Sequence, residues 1–152
     1  MKLTNNFTLE ELTESTTAER LGIDNTPNNE QINNLALLCE RILQPLRNEI
    51  GMSIVISSAF RCVALNRAVG GSSTSDHCLA LAGDIKSSNG DHKMLFDKII
   101  EMKLPYKQLI YEFGTDEQPK WIHVALDLSE TPKRQILKAV KIDGKTKYLN
   151  II

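Results

Sequence analysis

Long apolar runs are missing from this 152-residue sequence, and none approaches the ~20 residues of a membrane span. Neither charge dominates: 18 Lys and Arg stand against 19 Asp and Glu, for a net charge of −1. The broad basic field of a nucleic-acid binder is therefore absent, and neither nucleic acid nor a membrane is an expected partner. Three cysteines, Cys39, Cys62 and Cys78, form no even disulfide framework, which favours reduced thiols. The opening MKLTNNFTLEELTES has no apolar stretch of the secretory kind, so the expectation is a chain that is cytoplasmic when synthesised. No repeat, low-complexity segment or Gly/Ser/Pro-rich linker divides the chain. One domain over 1–152 is expected, burying roughly 70% of its unfolded surface. What remains is an ordinary globular composition that by itself names no activity.

Local signals outline the elements. Thr8 with Glu11 three positions on makes a capping box, so a short helix should begin at Leu9. A second should cover Thr17 to Leu21 and stop at Gly22. Thr26 before Pro27 reads as an N-cap and first-turn proline opening the longest helix. There Ile32, Leu35, Leu38, Ile42 and Leu46 recur at helical spacing until Gly51, with a kink or break expected at Pro45. Strands are expected at Ser53 to Ser58, Leu81 to Lys86, Gln108 to Phe113 and Trp121 to Leu128, with a helix from about Asp91 to Met102. Asp143-Gly144 marks the turn of a C-terminal hairpin over about 138–152. Helices first, then strands without regular alternation, suggest an α+β fold with a mainly antiparallel sheet.

Three residues stand out chemically. Asp84 lies in the apolar stretch Leu81-Ala82-Gly83-Asp84-Ile85, where a buried carboxylate needs a partner or a cation. Taken alone, it reads more readily as a solvated residue of an edge strand. His123, inside Trp121-Ile122-His123-Val124, has the plain alternative of a hydrogen-bonded, half-buried imidazole. His77, in a polar loop, has that of a solvated one. Together, two imidazoles and a carboxylate suit zinc and leave a fourth position open to water. The seven-residue spacing of His77 and Asp84 is common by chance. Cys62 and Cys78, which adjoin Arg61 and His77, stay open as alternative ligands. Cys39 falls on the apolar helix face and His92 reads as a surface residue.

Four ordered blocks add specificity: Ile56 to Arg61, Leu65 to Gly71, Ser75-Asp76-His77 through Asp84-Ile85, and Trp121 to Val124. Together they resemble the zinc D-Ala-D-Ala carboxypeptidase family, and within it the small phage and bacterial branch that includes endolysins. The resemblance is clearest over residues 7–128. It implies an α+β fold of the hedgehog/DD-peptidase kind, a small, mainly antiparallel sheet packed with helices. It also implies a Zn2+ cofactor held by His77, Asp84 and His123, and hydrolysis of peptidoglycan stem peptides. The expected protein is a monomeric enzyme that reaches the wall after release at lysis or in a phage particle.

Arg61 matches the family's Tyr/Phe-Arg position and is the candidate for holding a substrate carboxylate or an oxyanion; a surface ion pair is its plain alternative. Ser75 is a candidate for orienting a ligand or binding substrate, and Asn66, Gly70 and Gly71 shape the loop between. Two departures from the family pattern matter. Ala80 replaces a usual Gly, and Lys120 stands where many relatives carry an acid three residues before the last His. Glu112 is the preferred substitute base, with Asp116 and Glu117 as further candidates. A non-catalytic zinc-binding or structural module on the same scaffold remains the alternative.

Overall fold

The computed structural model describes residues 1–151. A two-stranded ribbon, β1 (Lys2–Thr4) and β2 (Phe7–Thr8), leads into α1 (Leu9–Thr13). The Thr8 hydroxyl caps α1 by accepting from the Glu11 N–H at 3.2 Å. Helix α2 (Thr16–Leu21) ends at Gly22, whose φ of 66° is the left-handed conformation that a helix stop favours. Helix α3 (Asn29–Leu38) begins later than the Thr26 signal suggests. Thr26 is occupied elsewhere, donating its hydroxyl to Asp24 at 2.6 Å, while Asn28 and Gln31 form the capping box. The expected break at Pro45 is a widened turn over Cys39–Leu43, where the Gln44 N–H reaches back to the Cys39 carbonyl. This turn accommodates a ring that has no N–H to offer, and α4 (Gln44–Ile50) continues to Gly51.

The main sheet contains β3 (Ile54–Ser58), β4 (Ala82–Ser87), β5 (Tyr106–Glu112), β6 (Trp121–Leu126), β7 (Gln135–Ile142) and β8 (Lys145–Asn150). Helix α5 (Val63–Ala68) follows β3, and α6 (His92–Glu101) follows β4, capped by Asp91. The strand order is β3-β4-β6-β5-β7-β8. All pairs are antiparallel except β5 with β7. The architecture is α+β with a mainly antiparallel sheet packed against helices. The expected hairpin turns at Asp143-Gly144, both with positive φ, as a two-residue turn between right-twisted strands requires. Its expected last residue, Ile152, lies outside the described residues.

Strand alternation divides the sheet. Ile85, Leu109, Ile122 and Val124 are fully buried and pack with Leu35, Leu38, Ile42, Leu95 and Ile99 of the helices. The intervening positions, Asp84, Ile110, Glu112, Trp121 and His123, point to the opposite face and line a cleft. One face makes the core; the other is free to carry chemistry.

Candidate metal centre and catalytic cleft

The cleft has a volume of about 680 Å³, within the usual range for small-ligand sites. Asp84 and His123 are direct partners across β4 and β6, which places both side chains on the cleft face. His77 comes from the loop before β4. Ser75 sets up that loop with its hydroxyl, which accepts from the His77 N–H at 3.1 Å. The buried Asp76 carboxylate pins the loop to β5 through Lys107 at 3.0 Å. The loop closes at Ala80 with φ of 60°, a conformation that costs an L-residue roughly 1 kcal/mol. That backbone explains physically why glycine suits this position.

Ligand atoms of His77, Asp84 and His123 all lie within 4.8 Å of one another. Asp84 Oδ1 is 3.2 Å from His77 Nε2 and 3.1 Å from His123 Nδ1. Ligands bound at 2.0–2.1 Å with tetrahedral angles are about 3.3 Å apart, so the spacing suits zinc. The tautomer agrees. His77 Nδ1 faces the Ala59 carbonyl at 2.6 Å and must donate to it, which leaves the Nε2 of a neutral ring without a proton. A lone pair and a carboxylate oxygen then face each other at contact distance, an arrangement that a cation satisfies. The donor set fits the metal. No cysteine joins it among the described residues: Cys62 Sγ accepts from the Leu65 N–H and caps α5, and burial raises the Cys78 thiol pKa. Cys39 is buried in the core, its thiol pushed up to about 12 by that burial and by Glu11.

Two carboxyl groups of the cleft titrate in opposite directions. Burial opposes ionisation of Asp84, but the imidazoles of His123 and His77 beside it outweigh that burial and hold the pKa below the usual carboxylate range. Glu112 accepts no such hydrogen bond. Burial raises it from 4.5 to about 7, with His123 pulling down and Asp84 pushing up. It is 7% exposed and pairs with Trp121 across β5 and β6, diagonal to His123. Lys120 is exposed, and only its backbone meets Glu112, donating to the Glu112 carbonyl at 2.9 Å. Asp116 is exposed and bonded to Lys138; neither it nor Glu117 lines the cleft.

Arg61 lines the opposite wall. Its Nε is buried without a hydrogen-bond partner, and the guanidinium has no ion pair among the described residues. That leaves the charge available to an anionic ligand. Gly71 lies against Asn66, where an added Cβ would sit 2.1 Å from Oδ1 and would displace that buried amide.

The sequence profile of the Peptidase M15 family matches residues 5–125. The chain belongs to the Peptidase M15 family. It is a zinc peptidase of the D-Ala-D-Ala carboxypeptidase type, and the family is zinc-dependent. No curated protein matches the chain at a significant level. The matched span of this M15 peptidase contains Arg61, His77, Asp84, Glu112 and His123, and ends before β7.

Sequence reasoning missed Asp76, Lys107 and Tyr148. Asp76 stood beside His77 in a recognised block, but nothing local shows that it is buried and paired. His92 is half-buried and not a free surface group: its Nδ1 accepts from the Ser87 N–H at 3.0 Å.

Proposed function

We propose that this M15 peptidase hydrolyses peptidoglycan stem peptides, at a terminal D-Ala-D-Ala bond or at an internal L,D bond. The reading extends to a monomer of the small phage and bacterial branch, endolysins included. Such a protein is made in the cytoplasm and meets the wall after lysis or in a particle. One observation carries the proposal: a single cleft combines the His77-Asp84-His123 donor set, a buried carboxyl near neutrality and an unpaired guanidinium.

His77, Asp84 and His123 would hold a zinc ion, which would supply Lewis acidity for the amide carbonyl and for activating water near neutral pH. Glu112, buried diagonal to His123, takes a proton from the attacking water and returns it to the leaving nitrogen. Arg61 donates charge-assisted hydrogen bonds to a substrate carboxylate or to the developing oxyanion. The Ala59 carbonyl holds the His77 tautomer, and the Asp76–Lys107 pair holds its loop. Ser75 supports the same loop through its hydroxyl and borders the substrate space.

Glu112→Gln preserves shape and removes basicity. It should keep full zinc content and cut turnover by ~100- to 10,000-fold. Turnover at the wild-type rate would remove Glu112 from the mechanism. A zinc-loaded wild type that releases neither D-alanine nor cleaved peptide from purified peptidoglycan would be a non-catalytic zinc-binding module.

A further inference from the structure

The family match stops at residue 125, yet the cleft continues. Gln135 and Leu137 of β7 and Tyr148 of β8 line it as well. Register places Tyr148 beside Ala139, and Ala139 beside Glu112, in one row on the cleft face. Ile110, Leu137 and Ala139 form a small apolar cluster separate from the main core, with Phe113 packed against it. The hairpin side of the cleft presents Leu137 and the Tyr148 ring beside Gln135, whereas the far side carries Arg61 and a glycine-serine loop. Tyr148 is 56% exposed, so the core gains little from holding a large ring there.

We infer that the C-terminal hairpin is a substrate-binding wall of this peptidase. Ile110, Leu137 and the Tyr148 ring form an apolar subsite for the aliphatic stem of a long peptide side chain, on the far side of the scissile bond from Arg61. This rests on the peptidase reading above. Distances across the sheet suit it. From Asp84 on β4 to Leu137 on β7 is three strand spacings, roughly 14 Å, of which two residues of extended backbone cover about 7 Å and a long side chain the rest. The subsite thus selects a long side chain whose aliphatic stem packs on Tyr148 while a charged end reaches water, two residues from a carboxylate held by Arg61.

The test uses the zinc-loaded full chain and two synthetic pentapeptide stems ending in D-Ala-D-Ala, one with lysine and one with glycine at the third position. Tyr148→Ala should raise KM for the lysine peptide about tenfold, the scale of one aromatic contact, with kcat within about twofold. The glycine peptide should be affected little, and Tyr148→Phe should restore wild-type KM. Zinc content and melting temperature should not move. Equal KM changes for both peptides, a loss confined to kcat, or a Tyr148→Phe variant as poor as Tyr148→Ala would each overturn the subsite. Trp121 is the only tryptophan and lines the cleft, so its fluorescence reads binding independently of turnover. A wild type that binds the lysine peptide without cleaving it, with binding weakened by Tyr148→Ala, sinks the hydrolase reading and keeps the subsite. A wild type that does not bind sinks both.

Discussion

The two faces of the main sheet come from the same strands and behave as different materials. On the helix side, Ile85, Leu109, Ile122 and Val124 are fully excluded from water. One residue away along each strand, Asp84, Ile110, His123 and Trp121 face the cleft. Burying a leucine-sized side chain contributes roughly 1.5–3 kcal/mol, so the helix face supplies cohesion. The cleft face gathers ionisable groups whose charges oppose close burial. The difference shows how a single sheet separates stability from chemistry: the period-two pleat keeps them one position apart. A rigid hydrophobic layer directly beneath holds the metal-ligating side chains in place.

Neighbouring residues on opposite faces give the sharpest way to break that comparison. His123→Ala should reduce zinc from about one equivalent to nearly none and abolish turnover, while the metal-free protein melts close to metal-free wild type. Ile122→Ala should do the reverse, keeping zinc and costing about 2–5 kcal/mol of stability. Elemental analysis and thermal melts of both variants decide the matter; a His123→Ala protein with full zinc would dissolve the assigned site.

Arg61 tests whether the cleft face is free of structural duty. Arg61→Ala should retain zinc and melt within a few degrees of wild type, yet lose about 100- to 1,000-fold in turnover. A large fall in melting temperature would make the guanidinium a structural group instead.

The smallest effect concerns pH. The Glu112 pKa is raised on folding, so the folded state binds its proton more tightly than the unfolded chain does. Its carboxyl is neutral and harmless below pH 4.5, and the cost of ionising it grows as pH rises through about 7. Metal-free Glu112→Gln should therefore match wild type near pH 4 and exceed it by about 1–2 kcal/mol at pH 8, after allowance for residual solvent. Asp84 has the opposite sign: its lowered pKa stabilises the fold above the ordinary carboxylate range, and that support is lost as pH falls through the lowered value. Denaturation curves of both metal-free proteins at pH 4 and pH 8 read the difference, and equal stabilities at pH 8 would contradict the burial assigned to Glu112.

Much of this was legible in the sequence, for local reasons. The Thr8 cap, the glycine stops at Gly22 and Gly51, and the Asp143-Gly144 turn depend on contacts within a few residues. The α3 start was misplaced because two caps compete over three residues, and the Asp24 side chain decides between them by taking Thr26. His77, Asp84 and His123 were legible as a group because ordered blocks carried them, though no spacing rule alone does so.

By itself, then, the sequence determined most of the helices, the longer strands, the hairpin and the set of ionisable residues able to meet, but neither the β1–β2 ribbon nor α5. Tertiary structure alone decided that Glu112 and neither Asp116 nor Glu117 enters the cleft, and that Asp76 is buried against Lys107. It also decided that β7 runs parallel beside β5, which brings Tyr148 into the row of Glu112. The physical reason is range. Caps and turns are settled by hydrogen bonds between near neighbours, whereas strand order and register depend on surfaces made by segments far apart in the chain. Burial, and with it the pKa of Glu112, exists only once those surfaces have closed.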